Sequence, residues 1–341
     1  MDLKEEMKNL IKVSVSVSIG LSYCYFLGKF IPKGFPRLLM ILPVVVSFIS
    51  FPIFFNSVHL IGAFSFFISW LANFKLILFA FGNGPLSSPS IPLSRFLSFA
   101  CFPIAPATNP QKKTSSSSLV FSYCVKALLF AIFLKVYYDH GAHMNPMMAW
   151  SLFASCIYLS LDVILGTISL IIGFLLGIEF DPQFDEPYLS TSLHNFWGRR
   201  WNIMVNRVVH PTIYTPVLTL SSRVIPRVWA PILAILATFM VSGLMHELIF
   251  WYFTRDWPTW DTMLFFCIHG LSLVTEILIK KFLVNFKWTR TYLARGQHVS
   301  TPFVVLYVLA TSYWWFYPDL LRCKIIERAF QEYKAIGNIF M

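Results

Sequence analysis

The chain alternates long apolar runs with shorter polar connections. Eight runs stand out, at approximately 10–28, 38–56, 58–81, 119–138, 146–178, 229–253, 262–279 and 299–317. Crossing a bilayer core of about 30 Å takes about 20 apolar residues on a helix, and these runs are of that order. Apolar residues fill consecutive positions, as from Leu161 to Ile178, without the alternation that a membrane strand requires. The pattern predicts an all-α, polytopic integral membrane helical bundle of about eight transmembrane helices, organised as a single domain over 1–341. The fifth run is long for one span and short for two, so a tilted or broken helix is expected around Asp162 to Gly166.

Two connections are long. The first, Gly82 to Ser118, is rich in Pro, Ser and Gly (GNGPLSSPSIPL, then NPQKKTSSSS) and reads as irregular and exposed. The second, 179–228, opens on acidic residues, continues into a dense aromatic and arginine cluster, and reads as a cytosolic or interfacial loop. Lys and Arg concentrate in the connections after the first, third, fifth and seventh runs, which places those on the cytosolic side. A short charged segment precedes the first run with no small-x-small cleavage site, so that run reads as a retained anchor.

Composition narrows the function classes. The chain is 57% hydrophobic and 13% charged, against about 25% charged in a soluble domain, so it lacks the charge to cover a water-facing surface. On so apolar a chain, a net charge of +11 marks loops held against an anionic leaflet, and no nucleic-acid partner is expected. The six cysteines lie far apart with no C-x-x-C pair, which removes a zinc or dithiol signature. Asp139-His140-Gly141-Ala142-His143 offers two histidines but no third ligand at a familiar spacing, and reads as a solvated loop. His246-Glu247 continues as Leu248-Ile249-Phe250, so the H-E-x-x-H of a zinc protease is absent. No G-x-S-x-G elbow or H-x-x-x-D motif occurs either.

Ionisable groups within the apolar runs are the next signal, because a membrane tolerates them only where they have a use. In the sixth run, Ser242-Gly243-Leu244-Met245-His246-Glu247 places Ser242 one turn before His246 on the same face. An imidazole, with an ordinary pKa of about 6.5, can take and return a proton near neutral pH; it can equally hydrogen-bond a neighbouring helix. Glu247 is adjacent, but neighbouring helix residues point about 100° apart. Two other stripes, His269, Ser272 and Glu276 and then Ser155, Tyr158, Asp162, Gly166 and Ser169, read as facing the bundle interior, where helix-packing hydrogen bonds are favoured over the lining of a substrate cavity. Phe196-Trp197-Gly198-Arg199-Arg200-Trp201-Asn202 is the remaining cluster. As one helix it would set Trp197, Trp201, Val205 and Val208 on a face towards the bilayer, with Arg199, Asn202 and Asn206 towards the other. Arginine suits phosphate, and the Asn202 amide both donates and accepts.

FWGRRWN, followed some forty residues later by Met245-His246-Glu247, resembles the asparagine and histidine signature of the membrane-bound O-acyltransferase superfamily. Within it the whole chain is similar to the plant wax synthases, the long-chain-alcohol O-fatty-acyltransferases. Ile31-Pro32-Lys33-Gly34, Trp70-Leu71-Ala72-Asn73-Phe74-Lys75, the length and the order of helices and loops carry the likeness. Leu193-His194-Asn195 departs from the amide or acid expected just before the motif, which bears on the acceptor. The resemblance implies transfer of a fatty acyl group from acyl-CoA to a long-chain alcohol at the endoplasmic reticulum, with no cofactor and no metal. It implies His246 as general base and Asn202 as the residue that polarises the carbonyl, donates to the oxyanion or holds the acceptor. Arg199 and Arg200 are then candidates for the CoA phosphates, Trp201 for the acyl entrance, and Ser242 and Glu247 for supporting His246. A sterol acceptor would use the same chemistry. A proton-coupled transporter relaying through Asp162, His246 and Glu276 would call for repeat symmetry, which the sequence does not display.

Overall fold

A computed structural model describes residues 3–104, 116–283 and 300–337. The segment NPQKKTSSSS lies largely outside them. In chain order the principal helices are α1 (Leu3–Phe30), α2 (Phe35–Ser50), α3 (Val58–Ala80), α4 (Leu93–Cys101), α5 (Ser116–His140), α6 (Pro146–Leu176), α7 (Ile203–Val209), α8 (Ala230–Thr254), α9 (Asp261–Leu283), α10 (Thr301–Trp315) and α11 (Ile325–Gly337). No strand forms among the described residues. Among the described residues, seven helical segments are long and apolar enough to cross a membrane, so the chain is a multi-pass membrane protein. The eighth apolar run forms α10, whose 15 residues fall short of the length a full span takes.

One sequence expectation is narrowed and one corrected. The fifth run, read as tilted or broken, is a single unbroken helix. Asn145 caps its start by accepting from the Met147 N–H with Pro146 in the first turn, and Gly177 ends it in the left-handed conformation at φ 63°. The Gly82 to Ser118 connection is partly regular, because α4 folds within it and buries Phe96, Phe99 and Ala100. The amphipathic spacing of those three residues outweighs the surrounding Pro and Ser.

The chain divides into two compact units. The first comprises 1–103, 207–267 and 318–341; the second comprises 104–206 and 268–317. In the first, α3 is the most enclosed span. Ser57 caps its start, and the Glu332 carboxylate of α11 accepts from the Val58 N–H at 2.6 Å and the Ser57 hydroxyl at 2.8 Å, which favours a negative group at the positive helix end. At the other end of α3, Lys75 is 0% exposed and donates to the carbonyls of Phe99 (2.6 Å) and Phe102 (2.7 Å), closing the C-terminal turn of α4. In the second unit α5 packs along α6. Lys126 of α5 reaches the buried Asp162 of α6 at 2.6 Å. A Cβ at Gly166 would lie 2.3 Å from the Tyr123 ring, so glycine is what lets these two helices approach. Asp162, the carboxylate of the α6 stripe, thus pairs across the two helices and also accepts from the Tyr158 hydroxyl one turn before it at 3.3 Å.

Candidate active site

In the first unit, the site is built on α8. Thr238, Ser242 and His246 recur every four residues on one face, and each bonds the carbonyl one turn back: Thr238 Oγ1 to Ala234 O, Ser242 Oγ to Thr238 O, and His246 Nδ1 to Ser242 O at 2.7 Å. A carbonyl only accepts, so Nδ1 carries the proton and the lone pair sits on Nε2. Ser242 therefore supports the histidine through its backbone, while its hydroxyl turns back on its own helix. Two aromatic rings flank the imidazole. Phe266 of α9 lies at 4.6 Å between centroids and 34°, and Trp70 of α3 meets it edge to face at 5.8 Å and 69°.

Glu247 takes a different direction from His246. It is buried, and its Oε1 accepts from the Met263 N–H at 2.8 Å, the third residue of α9. Asp319, also buried, accepts from the Thr262 N–H (3.3 Å) and hydroxyl (2.7 Å) and from Thr259 Oγ1 (2.8 Å). Two carboxylates thereby satisfy the first N–H groups of α9, which have no partner within the helix. The effect is to fix the start of the helix that carries Phe266. Gly243 faces the same turn, where a Cβ would meet Met263 Sδ at 2.6 Å.

In the second unit, FWGRRWN is not one helix. Phe196–Arg200 is a wide π-helical turn, Trp201 is extended, and Asn202 is left-handed at φ 40° before α7 begins. The break redirects the side chains, so the shared bilayer-facing stripe of Trp197 and Trp201 does not form. Trp201 instead stacks on the buried Phe196 (5.4 Å, 15°) and meets Phe184 edge to face (5.2 Å). Trp197 donates its indole N–H to His269 Nδ1 at 3.0 Å. Asn202 caps α7, its Oδ1 accepting from the Val205 N–H at 3.3 Å. That bond fixes the amide orientation and leaves Nδ2 as a donor with no acceptor among the described residues.

The two arginines separate. Arg200 is engaged with the protein, donating to Asn195 Oδ1 (2.9 Å), Asp185 O (2.7 Å) and Glu186 O (3.2 Å). Return bonds from the Asp185 N–H to Arg200 O and from the Ile203 N–H to Gln183 O clamp 183–186 along the motif. Arg199 is exposed, and no described residue pairs with it. Outside the motif, Glu276 Oε2 caps the preceding turn at the Leu193 N–H (2.7 Å), and Asp139 is paired with Lys135 (2.8 Å). Among the described residues, no group of three or more His, Cys, Asp or Glu gathers as a metal site. In the sequence Trp70 has no role beyond its place in the Trp70 to Lys75 string that carries the family likeness, and Phe266 shows there only as an aromatic in an apolar run.

Residues 180–268, which contain both FWGRRWN and Met245-His246-Glu247, match the membrane bound O-acyl transferase family. Three plant proteins from Arabidopsis thaliana are similar along nearly the whole length. A probable long-chain-alcohol O-fatty-acyltransferase 3 is 40% identical over 330 residues, 97% of this chain and 94% of its own. An acyl-CoA–sterol O-acyltransferase 1 is 41% identical over 339 residues, with 97% and 96% covered. A probable long-chain-alcohol O-fatty-acyltransferase 2 is 40% identical over 335 residues, with 97% and 95% covered. With the matched segment spanning both halves of the candidate chemistry and relatives covering the chain end to end, the chain belongs to the membrane bound O-acyl transferase family, in the group that includes these plant O-acyltransferases.

Proposed function

We propose that the protein moves a fatty acyl group from acyl-CoA to the hydroxyl of a long-chain fatty alcohol, forming a wax ester, in the endoplasmic reticulum membrane. The observation that carries this reading is the tautomer of His246. With Nδ1–H held by the Ser242 carbonyl, Nε2 is the base. It takes the alcohol proton as the alcohol oxygen attacks the thioester carbonyl carbon. The carbonyl electron pair moves onto oxygen and then returns, the C–S bond breaks, and the proton on Nε2 passes to the departing thiolate. Ester and CoA thiol result, and His246 is regenerated.

Asn202 has the role of donor to a substrate oxygen through Nδ2, since its Oδ1 is spent on the α7 cap. Arg199 is the cation of the pair suited to a CoA phosphate, because the donors of Arg200 already hold 183–186. Trp201 contributes an apolar wall for the acyl chain. Glu247 supports His246 indirectly, by fixing the start of α9.

The likeness to a sterol O-acyltransferase at 41% identity keeps a sterol as the second acceptor reading. The deciding assay uses microsomes from a host devoid of neutral-lipid synthesis, given labelled acyl-CoA with long-chain alcohols, sterols or diacylglycerol. Alcohol-dependent ester that disappears in His246→Ala supports the reading. Sterol ester alone transfers the reading to the second acceptor, and ester formation that persists in His246→Ala removes the assigned base.

A further inference from the structure

The first unit contains a buried hydrogen-bond donor beside His246 that the steps above do not use. Trp70 is 2% exposed, and its Nε1 has no hydrogen-bond partner among the described residues. Leaving a buried N–H unmade costs about 1–3 kcal/mol, so such a group in a native interior calls for a reason. Its neighbours hold the ring in place. Phe66 one turn before and Phe74 one turn after both meet it edge to face, at 5.2 and 6.4 Å and near 77–78°. The backbone beneath is π-helical from Ser65 to Ala72 within the otherwise α-helical α3, a local widening that recurs at functional sites. His246 is the ionisable side chain whose ring meets the indole, edge to face at 5.8 Å.

We propose that the indole N–H of Trp70 is an oxyanion donor: it hydrogen-bonds the thioester carbonyl oxygen of the acyl donor and holds the negative charge that forms there when the alcohol attacks. The inference rests on His246 being the base. An indole is a donor only, so it cannot take the alcohol proton, and it would blunt the nucleophile if it bonded the alcohol oxygen. The carbonyl oxygen is the substrate atom that gains charge, and a rigid donor in a dry interior stabilises it without having to reorganise. The donor left unmade in the resting protein gains its bond as the carbonyl oxygen arrives, and the bond is strongest when that oxygen carries charge.

The test removes the N–H and keeps the ring. Trp70→Phe, and separately β-(3-benzothienyl)alanine placed at position 70 by stop-codon suppression, are purified in detergent beside wild type. Ester synthesis is measured against acyl-CoA concentration. Loss of one such donor costs about 10²-fold in kcat, with KM for acyl-CoA little changed. The benzothienyl side chain has the indole's shape, so it separates loss of the donor from loss of packing should Trp70→Phe fold poorly. Wild-type kcat in the benzothienyl protein, with His246→Ala inactive, overturns the role of Trp70 and leaves the base in place. Ester synthesis that survives His246→Ala overturns the underlying reading instead.

Discussion

Trp197 donates its indole N–H to Nδ1 of His269 at 3.0 Å, and His269 Nε2 meets Thr311 Oγ1 at 2.8 Å, within the second unit. The first bond makes Nδ1 the acceptor and Nε2–H the donor. Thr311 in turn donates a hydrogen bond from its hydroxyl to the Tyr307 carbonyl at 2.7 Å, so a directed chain ties the motif to α9 and α10. With both nitrogens committed to this chain, His269 is structural. His269→Ala is expected to lower the melting temperature in detergent, since Trp197 and Thr311 lose buried partners at about 1–3 kcal/mol each. Activity per folded molecule should stay within a few-fold of wild type, and loss as complete as in His246→Ala would refute the assignment.

Asn202 combines a left-handed backbone, a helix cap and a spare amide donor. Asn202→Asp keeps the first two, because Asp tolerates positive φ and caps as well as Asn does, and replaces the amide donor with a charged oxygen that only accepts. The expected outcome is a protein with near wild-type thermal stability and a kcat about 10²-fold lower. Asn202→Gly is the converse: it keeps the backbone and loses the cap and the donor together. Equal activity in wild type and Asn202→Asp would confine Asn202 to capping.

Glu247 accepts from the Met263 N–H, a task that a neutral amide oxygen also performs. Glu247→Gln should therefore retain most activity and stability. Glu247→Ala should lose about 1–2 kcal/mol, the usual cost of removing a cap. Comparing unfolding and ester synthesis for the two variants checks this. A Gln variant as inactive as His246→Ala would mean that Glu247 carries a proton.

Lys126 and Asp162 meet at 2.6 Å with the carboxylate 1% exposed. Breaking a buried pair from one side costs about 3–5 kcal/mol, whereas an apolar pair of similar volume is often tolerated. Asp162→Leu alone should be poorly folded, and Lys126→Met with Asp162→Leu should recover. Thermal unfolding of both variants decides the matter; a double variant as unstable as the single would point to a role beyond helix pairing.

Much of this was legible in the residues. The membrane helices follow from consecutive apolar runs, and His246 and Asn202 stand out as polar groups in motifs. Arg200 did not distinguish itself from Arg199, because what engages it is the backbone of Asp185 and Glu186, fifteen and fourteen positions away. Glu247 was adjacent to His246 in sequence, yet its partner is an N–H sixteen residues on. The motif was expected to be one amphipathic helix, and the left-handed turn at Asn202 broke that period. A sequence period assumes one backbone conformation throughout, and a positive φ ends it.

The sequence alone determined that the chain is a multi-pass helical membrane protein, because long apolar runs in lipid must satisfy their backbone hydrogen bonds internally. It also determined which few polar side chains were available for chemistry. Tertiary structure decided which of them were already engaged: Arg200, Glu247, His269 and Lys75 hold backbone or side-chain groups, whereas Asn202 keeps Nδ2 and Trp70 keeps Nε1 without a described acceptor. The reason is that a donor's partner is set by what the fold brings within about 3 Å, and the spacing of residues along one helix does not specify what another element presents there.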